Sequence, residues 1–268
     1  MSALLAGRWG WLLKKKRLAK LVVGVVRKKS TLQKAFKRKA LDVATLNLEE
    51  GVRGADLVIL CAPISDIVDH IRRIGRFLGP KTIVMDVGSS KEQILNAAKK
   101  HLKKNIFVGC HPMAGSERCG IEFAKVDLFH GAVCFVSSPN KKVAAFWRAL
   151  GAKPIRVDAR RHDAWVAKVS HLPHVLSFSL LQDIRHSFGP KFPLNPSFKD
   201  LSRLARSHPG IWSDILLSNQ KELLTALKYF QSNVRLFEKA LQAKDRNKIA
   251  RLIAAANANA ERLVPNEA

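Results

Sequence analysis

The sequence predicts an α/β chain in two parts: a mostly parallel sheet domain over residues 1–158, then an all-helical domain over 159–268. Two observations carry this. Apolar β-type runs alternate with helical patterns up to about residue 157, and from Ala159 onward only helical periodicity remains. At 268 residues, 47% hydrophobic and 25% charged, the chain is long enough for one large core or two modest ones.

The strand-like runs are "KLVVGVV" (20–26), "ADLVILCAP" (55–63), "KTIVMDVGSS" (81–90), "IFVGCHPMA" (106–114), "AVCFVSS" (132–138) and "KPIRVD" (153–158). Between them "SDIVDHIRRIGRFL" and "SKEQILNAAKKHL" repeat apolar residues at helical spacing behind serines that suit N-caps. Strand, helix, strand in succession implies parallel pairing with crossover helices. In the second part "HDAWVAKVSHLPHVLSFSLLQDI", "SDILLSNQKELLTALKYFQSNVRLFEKAL" and "RNKIARLIAAANANAERL" are helical in period, and "FGPKFPLNPSF" (188–198) reads as a loop.

Composition excludes several classes. The four cysteines show no C-x-x-C spacing, and three of them (Cys61, Cys110, Cys134) sit in or beside apolar strands, which predicts reduced thiols in a cytoplasmic protein without a metal site. No apolar run approaches the roughly 18 residues that span a bilayer, and the N-terminal charges follow the apolar stretch, the reverse of a secretory signal. The net charge is +26, with twelve basic residues between Lys14 and Lys39. Such a field attracts phosphates and acidic metabolites. No aromatic ladder accompanies it, which argues against nucleic acid as a partner.

Ligands of doubly wound sheets bind beyond the carboxyl ends of the strands. Three tips here are suggestive: "CAPIS" (61–65), "DVGSSK" (86–91) and "CHPMAGSE" (110–117). Their convergence would make Ser89 and His111 neighbours. A histidine there suits base chemistry, because its unperturbed pKa of about 6.5 leaves it largely neutral near pH 7. The hydroxyl of Ser89 could orient its ring, and Gly88 and Gly115 permit close backbone approach. A histidine that merely caps a turn is the competing reading of this segment.

"DVGSSK", "GCHPMAGSERCGIEFAKVDLF", "HDAWVAKVSHLPH" and "FKDLSRLARSHPGIW" occur in the order of the signature segments of the prephenate dehydrogenase family, which includes arogenate dehydrogenases, and the chain resembles that family from about Lys14 to its last helices. The resemblance implies a Rossmann-like fold and NAD- or NADP-linked oxidative decarboxylation of prephenate to 4-hydroxyphenylpyruvate in tyrosine biosynthesis. Arogenate dehydrogenase activity is one alternative. A non-catalytic basic protein on a degenerate dehydrogenase scaffold, binding anions or nucleic acid, is the other.

By the same resemblance His111 is the base for the substrate hydroxyl and Ser89 orients it. His174, Ser170, Lys199, Arg203, Trp212 and Glu117 are expected around the substrate, with Arg203 gripping a carboxylate through its guanidinium fork. Asp200, one turn earlier, is placed to brace Arg203. Glu117 fits a turn-stabilising carboxylate equally well, and His171 fits a structural role. Arg27, Ala62, Pro63, Gly88 and Ser89 are expected at the cofactor. The family's homodimers predict that apolar helix positions such as Leu217, Leu224 and Leu236 meet a second copy.

The chain departs from this pattern at its start. A dinucleotide fold opens with a strand and a G-x-G-x-x-G turn, whereas "LLKKKRLAK" reads as the end of the first helix, so the first strand and glycine turn are expected to be missing or altered, with Gly7 and Gly10 as remnants. Arg27, Lys28 and Lys29 stand where an acidic residue often holds the ribose, which leans toward NADP. The other end of the chain is read as leaving no room for an appended regulatory domain.

Overall fold

The computed structural model describes residues 10–26, 30, 33, 37, 39–114, 127–187 and 195–263. It has two compact units, Met1–Gln220 and Lys221–Ala268. The first contains all the strands and every helix up to Ser218.

Within it, strands β1 (Val23–Val25) and β2 (Val43–Thr45) pair in parallel. Strands β3 (Leu57–Leu60), β4 (Ile83–Asp86) and β5 (Ile106–Val108) form a second parallel set in that order. The sequence reading placed no strand at 43–45, because "LDVATL" is short and half-exposed and carries no continuous apolar run. It also ran 106–114 as one strand. The chain instead breaks at Gly109, and β6 (Cys110–Pro112) joins a third set with β7 (Val133–Val136) and β8 (Lys153–Arg156). There β6 lies antiparallel to β7, opposing His111 to Phe135, while β7 and β8 are parallel. The Ser137 hydroxyl accepts the Gly109 N–H at 2.8 Å and holds the break.

All four residues of β4 are buried, as expected of a strand covered on both faces. Beneath one face lie Met85, Val108, Cys110, Cys134, Trp147 and Leu150. On the other, helices α1 (Leu48–Gly51), α2 (Ile64–Ile74) and α3 (Glu92–His101) contribute an apolar cluster. The spacing Ile64, Ile67, Val68, Ile71, Ile74 places one stripe of α2 inward. Each such side chain contributes roughly 1.5–3 kcal/mol on burial.

Serine does not cap α2 or α3. Helix α2 begins after Pro63 and α3 after Lys91, and both receive aspartates from distant helices. The Asp214 carboxylate accepts the Ser65 N–H at 3.2 Å, and Asp163 accepts Lys91 N–H and Glu92 N–H, each at 2.8 Å. A carboxylate offers two acceptors and charge favourable to a helix N-terminus, so it outcompetes a local hydroxyl. Asp163 belongs to helix α5 (Ala159–Val166) and Asp214 to α8 (Pro209–Ser218), so the caps tie α3 to α5 and α2 to α8; α4 (Lys141–Ala149), α6 (Leu172–Ser187) and α7 (Pro196–Ala205) are further helices of this unit.

Between α5 and α6 the helix widens into a π-turn, Ala167–His171, closed by Leu172 N–H to the Ala167 carbonyl. Pro173 follows. It has no N–H to donate, and its ring would crowd the preceding turn of a regular helix. The second unit comprises most of α9 (Gln220–Gln242) and α10 (Arg246–Leu263), joined through Lys244 at φ 51°. No helix among the described residues is long and apolar enough to cross a membrane.

Candidate active site

His111 sits mid-strand in β6, half-buried, with Cys110 and Pro112 buried on either side. The main chain here is anchored by Asp86 at the end of β4, whose carboxylate accepts Cys110 N–H at 3.2 Å and Gly88 N–H at 2.7 Å. Lys91 closes an ion pair on the same carboxylate, and both side chains are buried. The first and last charged residues of "DVGSSK" therefore clamp the loop between them against the base of His111. Space beside Gly88 is filled by Ile94 and by Asp86 itself, 2.7 and 3.1 Å from where a Cβ would stand, so glycine is required there by protein packing.

The ring of His111 is held by another histidine. His111 Nδ1 lies 2.9 Å from His162 Nε2, and His162 Nδ1 lies 2.7 Å from the Asp163 carboxylate. The two rings meet edge to face at 5.1 Å between centroids, and Phe135 packs edge-on against His162. Ser89 is half-buried, and the hydrogen bond at His111 Nδ1 goes to His162 where the sequence reading expected Ser89. Burial, then the neighbouring His162, Lys91 and His171, hold the pKa of His111 well below the usual imidazole range. The ring is neutral at physiological pH.

A second group gathers on the π-turn and beyond. His174 donates through Nδ1 to the Ser170 carbonyl at 2.8 Å and stacks on Trp212 with ring centroids 3.5 Å apart. Burial lowers the His174 pKa, and the Arg203 charge adds to that effect, which brings Arg203 electrostatically to the same place. Arg203 and Lys199 are exposed on α7, and no ion pair joins Asp200 to Arg203 among the described residues. The expected brace is not formed, and the guanidinium stays available. Arg27 and Glu117 lie outside the described residues.

Buried polar contacts connect the two groups. Asn219 donates through Nδ2 to the Asp163 carbonyl at 2.8 Å and to His171 Nδ1 at 3.2 Å, and His171 meets the edge of Trp212. Burial pushes His171 down to about 4. His162, Asp163, Lys91, Asp86 and Asn219 were assigned no role from sequence, although "HD" and "D…K" stand inside the motifs quoted above.

Ala62 and Pro63 follow β3 and Ser89 follows β4, at the carboxyl ends of two paired parallel strands. All three are small, uncharged and half-buried, which fits the flat face of a nicotinamide ring. Lys15, Lys16, Arg17 and Lys20 are exposed at the end of the 10–15 helix, a donor set suited to phosphates. No cluster of three or more His, Cys, Asp or Glu among the described residues is arranged to hold a metal ion.

Two family models match the chain: the nucleotide-binding domain of prephenate dehydrogenase over residues 9–153 and its dimerization domain over 158–255. The chain belongs to the prephenate dehydrogenase family. Prephenate dehydrogenase of Lactococcus lactis subsp. cremoris is 32% identical over 208 residues, covering 75% of this chain and 58% of that protein. The chain thus spans somewhat over half the length of that relative. Among solved structures, prephenate dehydrogenase from A. aeolicus in complex with hydroxyphenyl propionate and NAD+ superposes with a TM-score of 0.84 at 25% identity, covering 95% of this chain and 93% of that one. Synechocystis arogenate dehydrogenase superposes at 0.77 with 27% identity, covering 97% and 96%. Family membership places the α/β part with the nucleotide-binding model, and the helices after Val157 with the dimerization model.

Proposed function

We propose that this family member is an NAD(P)-dependent prephenate dehydrogenase, oxidising the ring carbinol of prephenate and releasing carbon dioxide to give 4-hydroxyphenylpyruvate on the route to tyrosine. The observation that carries this is the neutral His111, facing the same buried polar network as the stacked His174–Trp212 pair beside Arg203. In this reading residues 1–158 hold the dinucleotide, residues 159–268 supply substrate contacts and self-association, and the protein works in the cytoplasm, where the free thiols of Cys61, Cys110 and Cys134 stay reduced.

His111 accepts the hydroxyl proton on Nε2. Arg203 offers two parallel N–H donors to a substrate carboxylate, and Lys199 adds charge at the rim. His174, with Nδ1 committed to the Ser170 carbonyl, presents Nε2 to the substrate, and Trp212 fixes its plane. Ala62, Pro63, Gly88 and Ser89 would hold the nicotinamide end of NAD or NADP, with Arg27 and the nearby lysines toward its phosphates. When bound, NAD or NADP would supply the hydride acceptor for the ring carbon. The residues' main contribution is placement, since aromatisation drives the reaction. Exposed Leu224, Tyr229, Leu236 and Leu241 on α9 support a homodimer.

The test is to offer the purified chain prephenate or arogenate with NAD or NADP, and to follow nicotinamide reduction together with the aromatic product. Prephenate is expected to support reduction matched one for one by 4-hydroxyphenylpyruvate. Faster turnover of arogenate would reassign the substrate, and no reduction with either would overturn the reading.

A further inference from the structure

The hydrogen-bond directions around His111 follow from one acceptor. A carboxylate can only accept, so His162 carries its hydrogen on Nδ1, toward Asp163. A neutral His162 then has a lone pair on Nε2. The 2.9 Å contact requires His111 to donate to it from Nδ1, which leaves the Nε2 lone pair of His111 for a ligand. Free imidazole side chains in water favour the opposite tautomer. Asp163 is itself fixed: its two oxygens accept the first N–H groups of α3, and it is buried with His162. Lys91, His171 and Asp163 are the other charged or titratable groups facing the pair.

We propose that Asp163 and His162 are positioning residues which set the tautomer of His111, and that His162 also serves as a reversible proton store behind it. The inference rests on His111 being the base assigned above. As the substrate O–H bond breaks, its proton forms an N–H bond at His111 Nε2, and the hydrogen on His111 Nδ1 passes to His162 Nε2. The positive charge then rests on His162, against the Asp163 carboxylate, and not on the ring that faces the substrate. The O–H electron pair stays on oxygen as hydride leaves the carbon. Loss of carbon dioxide returns an electron pair through the ring to that oxygen, which takes its proton back along the same path as the phenol forms. No net proton is released, which suits a store enclosed by protein.

The experiment is side-chain 15N–1H correlation spectroscopy of the full chain labelled in histidine, with His111→Asn and His162→Gln assigning the signals. Near neutral pH both His111 and His162 are expected to carry hydrogen on Nδ1. His162→Phe removes the acceptor, and His111 should revert to the Nε2–H form. His111 found as Nε2–H in the unaltered protein, or unchanged in His162→Phe, overturns the wiring. Kinetics test the store: His162→Gln keeps an acceptor for His111 but cannot take a proton, so kcat should fall at least about 10-fold with KM unchanged. An unaltered kcat overturns it. The spectra need no substrate, so they stand even if prephenate is not oxidised.

Discussion

The carboxylate of Asp86 and the ammonium of Lys91 form an ion pair in which the side chains are 0% and 3% exposed. The pair joins the end of β4 to the start of α3, and through Cys110 N–H it reaches the strand that carries His111. Lys91 also contributes to keeping that histidine uncharged.

Removing one partner should therefore cost far more than removing both. Lys91→Met is expected to lower unfolding stability by about 3–5 kcal/mol, because it leaves a carboxylate buried without its counterion. The double variant Asp86→Asn/Lys91→Met should recover part of that loss. Urea unfolding of both single variants and the double variant checks this, and a double-variant loss equal to the sum of the two single losses would mean the two groups are not coupled.

Acid should destabilise the first unit through its buried neutral histidines. The folded pKa of His171 is about 4, below the unfolded value of about 6.5, so its contribution is fully present above pH 6.5. As pH falls, the unfolded chain takes up a proton that the native site refuses, and stability declines until pH passes about 4. The loss is on the order of 3 kcal/mol for this group, and His111 acts in the same direction. Unfolding measured across this range should show the decline, and a His171→Leu variant that still folds should flatten it.

His111→Asn should lower kcat with prephenate by roughly 100-fold or more, the scale of lost general-base help. The wild-type acid limb of kcat/KM should lie below the ordinary histidine range, since burial and neighbouring positive charge disfavour protonation. A limb at or above that range would contradict the environment described for the ring.

Arg203→Ala should act chiefly on KM, because the guanidinium is exposed and unpaired by Asp200 and is assigned only to substrate binding. Arg203→Lys should restore affinity only in part, since an ammonium cannot form two parallel hydrogen bonds. Steady-state kinetics that leave KM unchanged in both variants would remove Arg203 from the site.

Much of the fold was legible because β3, β4 and α2 are covered by core and so read as plain apolar patterns. Strand β2 was not, since three half-exposed residues leave no pattern. His111 and His174 stood out through their motifs, as did Ser170 and Trp212, which contact His174, but the partner of His111 did not. Which nitrogen of His111 is engaged depends on His162, 51 residues away, and the caps of α2 and α3 come from 149 and 71 or 72 residues away. Local sequence suggested serine for each of these tasks, and tertiary packing brought aspartate and histidine in its place.

The π-turn at Ala167–His171 has a consequence for how this helix tolerates change in length. Successive residues of an α-helix turn by about 100°, so positions seven apart nearly share a face while those eight apart do not. The main-chain carbonyl of Asp163 and the ring of His171 are eight residues apart, yet Asn219 Nδ2 reaches both. The wide turn takes up one extra residue and leaves the His171 ring beside that carbonyl. Deleting a single residue between 167 and 170 would give a more regular helix and misplace either the His162–Asp163 pair or the His171–His174 pair. The extra residue thus weakens the helix locally while it fixes the spacing of two histidine groups, so a stabilising deletion and a functional alignment pull in opposite directions at this one point.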